Sequence, residues 1–324
     1  MLNGLDLALR RPAPKADAPG KLLGTSPGGA VSSGSSRSRQ DAGLVLGLHG
    51  SEPGLPAVVA GRWRRLARLG QGAHGQVWAG QCLASGAPVA LKFARGARHE
   101  RLLRREAVVL QALARERHVA RLLAVHEEGG ITCLVLDRSG PSLAAWRREQ
   151  PDRRLPQGEA ARVGLQLLHA LQAVHRHGYV HGDVKNANCV VTTSIDGPVC
   201  SLVDFGLARR PRGLSALVPG LIGTARYASV AVHGGLRPRA VDDLWSWFYS
   251  VAELLGGDLP WHRLTDASAL VASKLAHRGG LWLQTLPPPF QQVQAALIEA
   301  ETGDLPYTLL QDALRATRSP TEGP

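Results

Sequence analysis

The feature that most narrows the fold is a change of hydrophobic period near residue 139. Between Arg62 and Arg138 the chain runs in short strand-like stretches, RWRRLARLG, GQVWAGQCL, APVALKFA, ARLLAVHEE and ITCLVLD. Glycines and one helical stretch near 98–116 break them up. Beyond Ser139 the pattern turns mostly helical. Residues 159–178 carry apolar side chains at helical spacing and stop at Gly178, and DDLWSWFYSVAELLGG (242–257) is apolar nearly all round, as a buried central helix must be. A small β-rich unit followed by a larger helical one satisfies both periods. The sequence therefore predicts an α+β, bilobal fold, with lobes at 62–138 and 139–316 and a tail at 317–324.

Residues 1–61 do not share this texture. They are rich in Gly, Ser, Pro and Ala and contain no aromatic residue, so they cannot bury enough surface to offset the entropy of ordering. A disordered leader is expected; an organellar transit segment is the other reading, against which Asp6 and Asp17 count. No run of 18 apolar residues occurs, which excludes a membrane-spanning helix. Cys82, Cys133, Cys189 and Cys200 lack zinc or disulfide spacing, and a reduced intracellular compartment, cytoplasmic or nuclear, follows as the expectation. The net charge is +12, of which residues 1–61 supply only +2, with six basic and four acidic side chains. No nucleic-acid module accompanies this charge, so an acidic or phosphorylated polypeptide is as good a partner for it. A monomer is expected.

Lysine usage sharpens the search. The chain has five lysines, at 15, 21, 92, 185 and 274, against 33 arginines, so a lysine stands out as a position where arginine's planar fork was not used. Gly70, Gly72 and Gly75 form G-x-G-x-x-G with Val77 just beyond. Alone this also describes a dinucleotide-binding turn, but such a turn opens a helix, and GQVWAGQCL reads as a strand. Glycines between two strands suit a loop folded over phosphates. Lys92 ends V-A-L-K, and Glu106 follows fourteen residues later on the helical stretch, where it could pair with Lys92 and aim it at phosphate. H-G-D-V-K-N-A-N spans His181–Asn188. Taken alone it could be a polar turn between strands. As a site, Asp183 would orient and accept the proton of an attacking hydroxyl, Lys185 would neutralise phosphoryl charge, and Asn188 would offer a hard oxygen to Mg²⁺. Asp204-Phe205-Gly206 stands twenty-one residues after Asp183, with a strand-end carboxylate suited to bridge a metal and phosphates.

This order and spacing resembles the protein kinases. G-T-A-R-Y-A-S (223–229) in place of the usual A-P-E, together with DRSGPSL (137–143), DDLWSWFYS (242–250) and DLPW (258–261), is similar to the casein kinase 1 superfamily. The wording is nearest to its tau-tubulin kinase branch, with HGD at 181–183 resembling the vaccinia-related kinases. The resemblance implies ATP and Mg²⁺ between the lobes and transfer to serine or threonine of protein substrates. It implies that Leu69, the three glycines, Val77 and Ala90 enclose the nucleotide, that Lys92, paired with Glu106, holds its phosphates, and that Leu136, Asp137 and Ser139 form the hinge. Asn188 and Asp204 would hold the metal, Thr224 would help position Asp183 and Lys185, and Asp243 would anchor the catalytic-loop backbone.

Two expectations are particular to this chain. Arg226, in G-T-A-R-Y-A-S, matches a family position that binds anions near the substrate groove, which would favour acidic or phosphate-primed sites; a solvated surface arginine is the bland alternative. Gly182 stands where most kinases carry the arginine that grips an activation-segment phosphate, so activity should not require that phosphorylation. A small-molecule phosphotransferase and a nucleotide-binding scaffold without turnover remain the competing readings, and dual specificity stays open. His175 and His177 do not read as a metal pair, and the seven tryptophans read as packing residues.

Overall fold

The computed structural model describes residues 54–72, 75–138, 140–211 and 217–318. Six antiparallel strands form the first lobe: β1 (Val58–Val59), β2 (Trp63–Gly72), β3 (Gly75–Cys82), β4 (Pro88–Arg95), β5 (Leu122–Glu128) and β6 (Ile131–Asp137). Their order across the sheet is β1-β2-β3-β4-β6-β5, and helix α1 (Ala97–Ala112) joins β4 to β5. Strand alternation gives the sheet two different faces. Trp78, Val89, Leu91, Phe93, Cys133 and Val135 close a small core on one side. The register pairs Val77 with Lys92, Ala79 with Ala90, Lys92 with Leu134 and Ala90 with Leu136, which puts these residues together on the opposite face. On α1, Leu103, Glu106, Ala107 and Leu110 are buried at helical spacing, so the one carboxylate among them is carried inward with the apolar stripe.

The sheet begins upstream of the boundary expected at Arg62. Val58 and Val59 pair with Arg64 and Trp63, Val59 is fully buried, and Arg65 donates through Nε to the Pro56 carbonyl at 3.1 Å. Two adjacent valines are enough to add an edge strand when a partner strand supplies the ladder, a tertiary effect that local composition does not carry. Residues 1–53 of the expected leader, Ser139 and residues 319–324 lie outside the described residues. At the other end the last helix runs through the buried Thr317, one residue past the expected boundary.

The second lobe contains α2 (Leu143–Glu149), α3 (Gln157–Arg176), a hairpin of β7 (Cys189–Ser194) and β8 (Gly197–Leu202), then α4 (Val230–His233), α5 (Ala240–Gly256), α6 (Ala267–Ala276), α7 (Pro288–Glu299) and α8 (Tyr307–Thr317). Helix α5 is its axis, with every residue from Val241 to Leu254 buried. Each large apolar side chain so placed contributes roughly 1.5–3 kcal/mol of transfer free energy. Gly164 on α3 lets α5 come close: a Cβ there would stand 3.0 Å from Val251, and Trp247 Nε1 donates to the Gly164 carbonyl at 2.9 Å. The tryptophans pack as expected, with Trp245, Trp247 and Trp261 among the largest fully buried side chains. No helix among the described residues is long and apolar enough to cross a membrane.

Candidate active site

The glycine-rich segment is the β2–β3 hairpin, with Gly72 paired to Gly75 and Gly70 to Val77, so a strand and not a helix follows it. Gly75 is the position that demands glycine. Its φ is +130°, and a Cβ would lie 2.1 Å from the Phe93 carbonyl oxygen. Leu69 is half-exposed on β2.

Lys92 lies on the sheet face turned to α1 and is 5% exposed. Its ammonium donates to both oxygens of Glu106, at 2.8 and 2.6 Å, and to Asp204 Oδ1 at 2.7 Å. Burial by itself pulls this lysine down, but the charges of Glu106 and Asp204 outweigh it and hold Lys92 above the ordinary lysine range. Asp204 adopts φ +62°, ψ +70°, a left-handed backbone that is unusual for a non-glycine residue and is sustained here by its ion pair. Phe205, next to it, is buried and meets the His181 ring edge-on at 4.9 Å.

The segment 181–188 is held from beneath by α5. Asp243 is 1% exposed and accepts from the backbone N–H of His181 at 2.7 Å, from that of Gly182 at 2.8 Å and from His175 Nε2 at 2.9 Å. Burial alone would raise its carboxyl, but the hydrogen bond from His175, its electrostatic attraction and the Gly182 N–H bring it below the usual range. His175 is thus a structural strut. Its other ring nitrogen meets the Tyr307 hydroxyl and ties α8 to this anchor. His181 accepts the Asp183 N–H at Nδ1, 3.2 Å, and contacts the Val203 carbonyl through Nε2, 3.2 Å, which fixes the Nε2–H tautomer.

Above this base the polar side chains converge. Lys185 donates to Asp183 Oδ2 at 2.7 Å and to Thr224 Oγ1 at 2.8 Å, while the Thr224 hydroxyl donates to Asp183 Oδ1 at 2.7 Å. Asn188 Nδ2 donates to the Asp183 carbonyl at 2.9 Å and to Oδ2 at 3.1 Å. The Val203 N–H donates to the Asn188 carbonyl at 2.9 Å, joining this group to the segment that leads from β8 to Asp204. Lys92, Glu106 and Asp204 thus form one bonded set and Asp183, Lys185, Asn188 and Thr224 another, joined through the backbone at Val203. Val77, Ala90 and Leu136 lie on the same sheet face as Lys92. Asp137, at the end of β6, is half-exposed and its side chain pairs with Arg121 at 3.0 Å. The oxygen donors suit a hard divalent cation: turning the Asn188 amide nitrogen to Asp183 turns its oxygen the other way, and the Asp204 side chain is one-third exposed.

Arg226 stands on the rim of an open groove of about 880 Å³ shared with Lys185, Thr224, His233 and His262. It donates to the His262 carbonyl at 3.0 Å, is 42% exposed, and lies 3.7 Å from Glu253 Oε1. Glu253, unnoticed in the sequence, is a joint: its Oε2 accepts from Tyr227 at 2.6 Å and Asn186 at 2.9 Å, and Arg147 lies 3.7 Å from Oε1. Burial and the Glu253 charge push the Tyr227 phenol up, so it remains a donor. One signal could have found Glu253: a carboxylate inside a helix this apolar must have buried partners.

Comparison with known proteins agrees with this geometry. The protein kinase domain family matches residues 63–298. The chain belongs to the protein kinase family. A probable serine/threonine-protein kinase of Dictyostelium discoideum is 33% identical over 266 residues, covering 80% of this chain and 54% of that protein. The match thus spans about half the length of that relative. A putative casein kinase I of Caenorhabditis elegans is 28% identical over 279 residues, 82% of each chain, and a serine/threonine-protein kinase of the same worm is 26% identical over 272 residues, 78% and 71%. The bilobal α+β fold and the expected protein kinase domain are borne out.

Proposed function

We propose that this chain transfers the γ-phosphoryl group of ATP to serine or threonine hydroxyls of protein substrates, and that it favours acidic or phosphate-primed sites. The observation that carries this reading is the meeting of two hydrogen-bonded sets, Glu106–Lys92–Asp204 and Asn188–Asp183–Lys185–Thr224, joined through the Val203 N–H on the Asn188 carbonyl. Asp183, its carboxylate oriented by three donors, accepts the proton of the attacking hydroxyl. The hydroxyl oxygen bonds to the γ-phosphorus as the bond from phosphorus to the β–γ bridging oxygen breaks, and ADP leaves. Lys185 neutralises charge on the group in flight, and Lys92, kept ionised by Glu106, does so at the other phosphates. Asp204 and Asn188 would hold Mg²⁺, which supplies Lewis-acid neutralisation when bound. Catalysis of this kind is positioning and electrostatics.

Arg226 supports the acidic-site preference, because its guanidinium is partly exposed on the groove. The motifs at 223–229 and 242–250 and the putative casein kinase I relative support a casein-kinase-1-like enzyme, with tau-tubulin wording. The test is transfer of labelled phosphate from ATP to casein. Asp183→Asn should abolish transfer while nucleotide binding survives; wild-type binding without transfer would instead make the chain a scaffold. Arg226→Ala should lose more activity on a primed peptide than on its unprimed twin, and equal losses would dismiss the preference.

A further inference from the structure

Of the three lysines among the described residues, Lys92 and Lys185 belong to the constellation above, and the third, Lys274 on α6, does not. It is 2% exposed. Among the described residues no carboxylate lies within ion-pair distance of it. Instead its Nζ donates to the carbonyls of Ala225 at 2.8 Å and Ala228 at 2.5 Å, and lies 3.3 Å from His233 Nε2. The rings of Tyr249 and Trp261 flank it at 5.1 and 5.6 Å. His233 itself contacts the Ala225 carbonyl at 3.0 Å.

Such an arrangement is poor for stability. A buried cation without a counter-charge costs desolvation free energy that an apolar side chain of similar length would avoid. What it achieves is local. The two carbonyls bracket Arg226 and Tyr227, which belong to no helix or strand. They follow Thr224, whose hydroxyl sits on Asp183 and whose carbonyl accepts the N–H groups of Tyr227 and Ala228 at 2.9 and 3.0 Å. A compact amine with tetrahedral N–H directions can reach both carbonyls at once, where a planar guanidinium is bulkier and directs its donors in one plane.

We propose that Lys274 is a positioning residue for the protein substrate: its amine ties the Ala225 and Ala228 carbonyls from below and so fixes the segment that faces the substrate groove. Burial pushes Lys274 down to about 7, and a neutral amine still has two N–H bonds for the two carbonyls, so the tie does not depend on the charge. The inference rests on the kinase reading but not on the anion preference of Arg226.

Lys274→Met keeps length and apolar packing and removes both donors; Lys274→Gln keeps an NH₂ group, but a planar one on a shorter stem. KM for an unprimed casein peptide should rise about tenfold in the methionine variant and less in the glutamine variant, with KM for ATP within twofold of wild type and no fall in Tm for methionine. Independently of turnover, amide hydrogen exchange over residues 224–229 should accelerate in the methionine variant while α5 is unchanged. That second readout separates this inference from the kinase reading, which fails only if wild type transfers no phosphate. Unchanged peptide KM with unchanged exchange would overturn the proposal. So would losses on peptide and ATP in step with the fraction unfolded, or failure of both variants to fold, either of which would make Lys274 a stability residue.

Discussion

Replacing Thr224 with valine tests the catalytic constellation at its thinnest point. Valine preserves the β-branched shape and removes only the hydroxyl, so the turn made by the Thr224 carbonyl with Tyr227 and Ala228 is untouched. Two contacts disappear together: the 2.7 Å bond from the hydroxyl to Asp183 Oδ1 and the 2.8 Å bond it accepts from Lys185. Hydrogen bonds to charged groups are worth roughly 1.5–3 kcal/mol, which is roughly 10- to 150-fold in rate if the bond acts in the transition state. Asp183 and Lys185 are 11% and 22% exposed, so water can replace part of what is lost, and Lys185 keeps its 2.7 Å bond to Asp183. The lower half of that range is therefore expected, roughly 10- to 40-fold in kcat. Steady-state kinetics on casein with ATP varied, then peptide varied, is the assay. KM for ATP should stay within twofold, because Thr224 contacts Asp183 and Lys185 and not Lys92, Glu106 or Asp204. A loss in kcat below threefold, or one expressed mainly in the ATP KM, would show that Thr224 does not orient Asp183.

Asp243→Asn should destabilise by roughly 1–3 kcal/mol, since an amide nitrogen would face one of three donors that now meet the carboxylate; urea unfolding with an unchanged m reads this. Because the folded carboxyl lies below its usual value, its contribution is complete above about pH 4 and is lost as pH falls through the folded value, so the gap between wild type and variant should narrow on acidification; a gap constant from pH 6 to 3 would contradict the assignment. Gly75→Ala should lower Tm and raise the ATP KM, since its Cβ would collide with Phe93, whereas Gly70→Ala, with nothing within 4 Å, should leave Tm unchanged. Equal melting shifts would remove the steric argument. Arg209 Nη2 stands 3.7 Å from where a residue-182 Cβ would lie, so a guanidinium already borders the space beside Gly182. Phosphatase-treated enzyme should accordingly retain its activity, and an inert dephosphorylated enzyme that recovers only on activation-segment phosphorylation would refute this.

The catalytic half of the site was legible because its chemistry sits in short motifs whose spacing survives linear reading. Lys92 and Glu106 are fourteen residues apart on a strand and the following helix, and Asp183, Lys185 and Asn188 share one loop. Of the support beneath them, only the Asp243 anchor was expected, from the family resemblance. His175, Asp243 and Tyr307 meet from α3, α5 and α8, and Glu253 gathers Tyr227, Asn186 and Arg147 across distances no periodicity encodes. Each buried charge nevertheless left a trace. Glu253 is a carboxylate in an apolar helix, Lys274 a lysine in a chain that prefers arginine, and His175 an imidazole at the end of a buried helix. A buried ionisable group is costly to retain without partners, so each departure from the apolar pattern pointed to an unseen contact. The edge strand at Val58–Val59 left no such trace, since two valines beside a glycine-rich stretch carry no cost that a partner must offset. What the sequence concealed was therefore cooperative backbone pairing, whereas the electrostatic framework could be read wherever a charge stood in the wrong surroundings.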